Sequence, residues 1–270
     1  MRIDSKKLAK SIRKNVLQMV HKANASHVGS SFSIADILAV LYSGVLSITP
    51  IEPMHPMRDR LLVSKGHAAS AIYSVLAERG FFPKEWLNSY SENGSPLTGH
   101  VNHEVPGVEW STGSLGHALS VASGLALAAK MDGAAWRTFT IMSDGECDEG
   151  SIWEAAMFAG HHSLDNLILL IDYNKIQSFG RVANVLDLEP FADKWQSFGW
   201  SVTEIDGHDH KILKSKLTKL PLQHEKPSVL ICHTVKGKGV SFMEDELIWH
   251  YKSPNQEQLA QALAEIERDS

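Results

Sequence analysis

Through the middle and second half of the chain, short apolar runs alternate with helix-patterned stretches. Thr138 to Met142 and Leu167 to Asp172 are apolar runs of strand length, and the segment between them, Ser151 to His161, has a helical pattern. Trp200 to Glu204 and Ser228 to His233 read as two further strands, separated by a helix from Asp209 to Leu220. Arg60 to Val63 is another short strand, and Gly66-His67 leads from it into a helix reaching Arg79. Strands this apolar are buried on both faces, and strands alternating with helices pair in parallel through right-handed crossovers. The pattern predicts an α/β fold: a mostly parallel sheet with helices on both faces, as one domain spanning residues 1–270.

The remaining segments fit around that sheet. Leu8 to Ala25 places Leu8, Ile12, Val16 and Met19 at helical spacing. Ser33 reads as the N-cap of an apolar helix from Ile34 to Leu46, with Asp36 at the third helical position as in a capping box. That leaves Ser26 to Ser31 as a polar loop. Pro50, Pro53 and Pro56 make Thr49 to Arg60 a loop. The helix from His117 to Met131 is dense in Ala and Gly, as close packing on a sheet requires, and Asn255 to Arg268 reads as an exposed helix. Trp86, Trp136, Trp195 and Trp200 are expected in the core or an interface.

Composition excludes several function classes. Lys and Arg number 26 against 31 Asp and Glu, a net charge of −5 without a basic run, which speaks against nucleic acid as the main partner. No run approaches the roughly 18 apolar residues of a membrane span, and the first twenty residues lack the apolar core of a signal peptide. Two cysteines, Cys147 and Cys232, cannot form a disulfide framework, so a reducing cytoplasm is expected.

In parallel sheets, ligands bind beyond the carboxyl ends of the strands. Two loops fall there: Met142-Ser143-Asp144-Gly145-Glu146 and Asp172-Tyr173-Asn174-Lys175-Ile176. Asp144 and Asn174 stand 174 − 144 = 30 residues apart, one strand–helix–strand unit, so a right-handed crossover brings both to the same edge. A carboxylate, an amide oxygen and a backbone carbonyl form an incomplete set for a hard cation such as Mg²⁺, which completes its shell with phosphate and water. Gly113-Ser114-Leu115-Gly116, before a helix, leaves main-chain N–H groups free for an anion, so the missing ligands point to a diphosphate. Of 14 histidines, His27, His67, His100, His103 and His250 fall in predicted loops, where imidazoles can donate to phosphate or move protons at sugar hydroxyls. Lys236-Gly237-Lys238-Gly239 lacks the spacing of a phosphate-binding P-loop, and no zinc spacing is present. In His208-Asp209-His210, the aspartate reads as a charge at a helix N-terminus rather than as part of a metal site.

Ser26-His27, Ser64-Lys65-Gly66-His67, Gly99-His100, Gly107-Val108-Glu109-Trp110-Ser111-Thr112-Gly113-Ser114-Leu115-Gly116, Ser143-Asp144-Gly145-Glu146 with Asn174-Lys175-Ile176, and Gly237-Lys238-Gly239-Val240 with Glu244, Trp249 and His250 together resemble the N-terminal, diphosphate-binding domain of transketolase. The resemblance runs from about residue 5 to about 255, in the family's order and spacing. One departure is Ser143, where the family has the first glycine of Gly-Asp-Gly. The resemblance implies thiamine diphosphate with Mg²⁺ or Ca²⁺, the metal taken by Asp144, Asn174 and the Ile176 carbonyl. It implies His67, Gly145 and His250 at the diphosphate, Gly113, Ser114 and Leu115 along the cofactor groove, and Glu146 among the cofactor-binding residues. It sets His27, His100 and His250 at the donor sugar, and Glu149 in a hydrogen-bond network across a subunit interface.

The implied activity moves a two-carbon ketol unit from a ketose to an aldose. A full transketolase chain is more than twice as long, so the resemblance implies the N-terminal subunit of a split enzyme. Its partner is a C-terminal subunit, in a heterotetramer with two copies of each chain. Two alternatives are another thiamine diphosphate enzyme component, of the 1-deoxyxylulose-5-phosphate synthase or 2-oxo-acid dehydrogenase type, and a non-catalytic cofactor-binding regulatory subunit.

Overall fold

The computed structural model describes residues 3–268. Helix α1 (Ser5–Ala23) is capped by Asp4, whose carboxylate accepts from the Lys6 and Lys7 amides. After α1 come two short helices, α2 (Val28–Ser33) and α3 (Ala35–Val40), and a π-type turn over Leu41–Val45. Strand β1 (Arg60–Val63) leads through a 3₁₀ turn at Gly66–Ala68 into α4 (Ala69–Glu78). Then follow α5 (Ala118–Met131), β2 (Thr138–Ser143), α6 (Gly150–His161) and β3 (Leu167–Tyr173). A small antiparallel ribbon, β4 (Ile176–Gln177) with β5 (Gly180–Arg181), precedes α7 (Val182–Val185) and α8 (Phe191–Ser197). The chain ends with β6 (Ser201–Asp206), α9 (His210–Leu217), β7 (Ser228–His233) and α10 (Gln256–Arg268).

The five longer strands pair in the order β1-β2-β3-β7-β6, every pair parallel. Strand β3 is central and wholly buried, and its side chains alternate between two apolar layers. Ile168 and Leu170 face α1, α3 and α4, while Leu167, Leu169 and Ile171 face α5, α6 and α8. Both faces are covered, as the unbroken apolar run requires. The registers Ser143↔Asp172 and Tyr173↔His233 bring the carboxyl ends of β2, β3 and β7 to one edge. Among the described residues no helix is long and apolar enough to cross a membrane. Trp136, Trp195 and Trp200 are buried, but Trp86 is not in the core: it is exposed and stacks on Phe82.

Three local expectations need correction. The polar stretch after Ser26 is helical from Val28, and Ser33 ends that helix instead of capping the next. Its hydroxyl donates to the Ser30 carbonyl at 2.9 Å and to Asp172 Oδ2 at 2.6 Å. Small residues are needed there because α2 presses on the site's loops: a Cβ on Gly29 would stand 3.2 Å from Lys236 Cγ. Asp36 closes no capping box; it is buried and salt-bridged to Arg13. Finally, α10 is amphipathic rather than simply exposed, with Ala262 and Ile266 buried in the layer that holds α1.

Candidate active site

The loop after β2 folds as a 3₁₀ turn, Asp144–Asp148, opened by Ser143 in a capping box with Glu146. Asp144 is buried, its Oδ1 accepting from the Gly145 amide at 2.8 Å and its Oδ2 from the Lys175 amide at 2.6 Å. Across the edge, the Asn174 amide group donates to Asp172 Oδ2 at 2.9 Å, and its Oδ1 accepts from the Ile176 amide at 3.1 Å. The thirty-residue spacing therefore does set Asp144 and the Asn174–Ile176 loop side by side. Burial, with the charge of Asp172 nearby, pushes the Asp144 carboxyl up to about 7. Among the described residues, no three His, Cys, Asp or Glu side chains gather as a metal cluster. One carboxylate, one amide and one carbonyl are an all-oxygen set, suited to a hard cation that keeps phosphate and water as its other ligands.

Two buried lysines complete this edge. Lys65 is fully enclosed; its ammonium donates to the Ser30 carbonyl at 3.0 Å and forms an ion pair with Asp172. Burial pushes the Asp172 carboxyl up, but Lys65, Ser33 and Thr234 outweigh it and hold the group below its usual range. Lys236, also buried, donates to the Ile176 carbonyl at 2.9 Å and to His250 Nδ1 at 3.0 Å. Burial, then the charge of Lys65, brings its amine down to about 8. In the sequence Lys65 stands only within Ser64-Lys65-Gly66-His67, and Lys236-Gly237-Lys238-Gly239 lacks P-loop spacing. Only their burial beside Asp172 and Ile176 reveals them.

Four histidines from distant parts of the chain meet beside these groups. His27 has ring centroids 5.1 Å from His67, 6.0 Å from His100 and 5.0 Å from His250, and His67 lies 5.6 Å from His250. His27 adopts a left-handed conformation, φ 75°, and its amide donates to the His250 carbonyl at 2.9 Å. His67 Nε2 is 2.8 Å from the Ser30 hydroxyl. Burial and neighbouring positive charge lower all three of the enclosed rings: His27 to about 4, His250 to about 3, and His67 well below its ordinary value. At neutral pH these rings are uncharged, each with one donor and one acceptor nitrogen. His103 lies outside this group, its Nδ1 2.6 Å from the Ser111 hydroxyl.

The glycine-bearing loop before α5 closes the site on another side. Gly113 lies against His100, where a Cβ would come within 3.1 Å of the ring. Ser114 and Leu115 are exposed, and Glu149 is exposed at the N-cap of α6, so none of the three is enclosed by the rest of this chain as His27, His67 and His250 are. Gly116, at φ +81°, would place a Cβ 2.7 Å from Glu149 Cβ. Glu146 is placed differently from the expectation of a cofactor contact. It is fully buried, one oxygen accepting from the Ser64 hydroxyl and the Gly116 amide, the other from the Ser143 amide at 2.8 Å. Its carboxylate ties together the loops after β1 and β2 and the loop before α5.

A doubly covered parallel sheet, with hard oxygen donors and neutral imidazoles converging at its carboxyl edge, defines a domain for a diphosphate-bearing cofactor. Residues 4–264 match the family model described as transketolase, thiamine diphosphate binding domain, and the chain belongs to that family. It is 42% identical, over 94% of its length and 90% of the relative's, to one of the apulose-4-phosphate transketolase subunits, from Phocaeicola vulgatus. It is 43% identical, over 99% and 98%, to the 6-deoxy-6-sulfo-D-fructose transketolase subunit SqwG of Clostridium sp.. The transketolase of Campylobacter jejuni superposes with a TM-score of 0.91 at 31% identity, over 99% of this chain and 43% of that one. The Leishmania mexicana transketolase gives 0.90 at 28%, over 100% and 42%. The chain thus spans about two-fifths of these solved transketolases, but nearly all of the two relatives named as subunits.

Proposed function

We propose that this chain, residues 1–270 as one domain, is the cofactor-binding subunit of a two-chain transketolase that moves a two-carbon ketol unit from a ketose to an aldose. The observation that carries the reading is the cluster of His27, His67, His100 and His250 on 5.0–6.0 Å centres beside the Asp144–Asn174 oxygen set. In this reading the Asp144 carboxylate, the Asn174 amide oxygen and the Ile176 carbonyl hold Mg²⁺ or Ca²⁺. The Gly145 amide, His67, His250 and Lys236 face the diphosphate, and Gly113, Ser114 and Leu115 flank it. Thiamine diphosphate, when bound, supplies the nucleophilic carbon and the electron sink for breaking the ketose carbon–carbon bond.

The chain's own work is binding, orientation and proton movement. His27, His100 and His250 meet the donor sugar's hydroxyls; His27, kept neutral by burial, can both donate and accept, and His250, whose Nδ1 accepts from Lys236, donates through Nε2. A decarboxylating enzyme has no need of so many groups around a sugar, so the cluster supports ketol transfer over 2-oxo-acid chemistry. Glu149, Ser114 and Leu115, exposed on this chain, lie where a C-terminal partner subunit would complete the site, in a heterotetramer with two copies of each chain. The substrates would be sugars carrying a phosphate or another anion, as the names of the two relatives suggest. The two cysteines are free and buried, which supports a cytoplasmic setting.

Asp144→Ala in the complex with its partner tests the reading. The expected result is loss of cation-dependent thiamine diphosphate binding and of ketol transfer, with the complex still assembled. A variant complex that keeps full activity would mean a scaffolding subunit instead.

A further inference from the structure

The buried carboxylate of Asp36 lies outside the histidine cluster, yet its partners reach the loop that carries Lys236. Its Oδ1 accepts from Arg13 Nη1 at 3.1 Å and from His210 Nε2 at 3.0 Å; its Oδ2 accepts from Arg13 Nη2 at 2.5 Å and from His208 Nδ1 at 2.7 Å. Two of these partners have a second bond. His208 Nε2 accepts from the Val235 amide at 2.8 Å, and Arg13 Nε donates to the Lys238 carbonyl at 2.8 Å. These two bonds grip the chain on either side of Lys236-Gly237, whose lysine spans the Ile176 carbonyl and His250.

The tautomer of His208 follows from this geometry. A backbone amide only donates, so Nε2 is the bare nitrogen and the ring proton sits on Nδ1, aimed at Asp36. The loop also has no room to slide. The Gly237 amide donates to the Gly29 carbonyl at 3.0 Å, and a Cβ on Gly237 would stand 2.2 Å from the Met243 carbonyl oxygen. Small displacements of Val235 or Lys238 therefore pass directly to the Lys236 ammonium.

We infer that Asp36 is a positioning residue for the cofactor site: through His208 and Arg13 it holds residues 235–238 so that Lys236 and His250 meet the diphosphate. The inference rests on the proposed function for the identity of that ligand. The hydrogen bonds themselves do not depend on it.

Two substitutions at His208 separate this role from plain structural support. In His208→Asn the side-chain amide can still donate to Asp36 but cannot reach the Val235 amide. In His208→Gln the side-chain oxygen falls near the position of Nε2 and keeps that acceptor. Both are made in this chain and studied as the complex with its partner subunit, by thiamine diphosphate titration with Mg²⁺, turnover, and hydrogen exchange of the peptide spanning 234–239. The expected result for His208→Asn is about a tenfold weaker apparent affinity for thiamine diphosphate, the scale of one lost buried hydrogen bond, with kcat at saturating cofactor nearly kept. Exchange at 234–239 rises in the same variant, and His208→Gln restores both to within about threefold of the parent.

Equal affinity and equal exchange in all three proteins would overturn the inference. So would a His208→Gln defect as large as that of His208→Asn, since the acceptor for the Val235 amide, which His208→Gln keeps, would then not be what holds the loop. If exchange follows the expected pattern while the unsubstituted complex binds no thiamine diphosphate, the loop clamp stands and the functional reading fails.

Discussion

Two buried carboxylates, Asp36 and Asp144, sit in separate polar clusters, and the fold treats them in opposite ways. Asp36 is surrounded by donors. Burial pushes its carboxyl up, but Arg13, His208 and His210 overcome that and hold it well below the usual range. Among the described residues Asp144 receives only the two main-chain amides of Gly145 and Lys175, with Asp172 close by, and its carboxyl is pushed upward. A buried charge that is fully paired within the chain organises structure. One left short of positive partners marks a place built for a charge brought from outside.

The comparison is open to direct attack. Asp36→Ala leaves a buried guanidinium without its carboxylate and should cost about 3–5 kcal/mol of stability by urea unfolding. Asp144→Ala should leave stability within about 1 kcal/mol of the parent, because it removes a charge that has no cationic partner in direct contact among the described residues. Equal losses would erase the distinction. In binding the order reverses: Asp144→Ala should weaken thiamine diphosphate retention by about a hundredfold or more, beyond the 10–100-fold typical of groups that only support a ligand. Asp36→Asn should weaken it by an order of magnitude less.

A smaller effect is expected where the loops merely touch. Gly116→Ala puts a methyl into Glu149 at a positive φ and should cost about 1–3 kcal/mol, read as a lowered unfolding midpoint. The contrast also extends to the imidazoles. His208 and His210 each donate to a carboxylate, whereas His27 faces Lys65, Lys236 and other rings. The folded pKa of His27 is depressed to about 4, so below about pH 6.5 the unfolded chain binds a proton that the folded chain refuses. Stability then falls as the pH drops from about 6.5 through 4. His27→Asn, which tolerates the left-handed backbone there, should show a slightly smaller loss between pH 7 and pH 5 in paired melts.

Much of the sheet was legible because its signal is local. The run from Leu167 to Tyr173 carries seven buried residues in sequence, and one covered strand implies covering helices. The pairing of Asp144 with Asn174 was legible for a related reason, since a strand–helix–strand unit has one permitted hand. Lys65 and Lys236 were not, because a lysine in a motif reads as solvated until the fold encloses it against Asp172 and Ile176. Ser33 and Asp36 misled through local grammar: Ser followed by an acid three residues later is a capping signature, but contacts with Asp172 and Arg13, far away in the chain, decide their roles. Glu146 shows the same limit, because only the folded loops reveal its bonds to Ser64 and Gly116.

Native mass spectrometry of this chain, purified gently from its own cells, tests the central claim most directly. A complex of two copies of this chain with two of a second chain, retaining thiamine diphosphate and a divalent cation, is the predicted result. This chain alone, or in a complex that carries no thiamine diphosphate after the cofactor and Mg²⁺ are supplied, would contradict it.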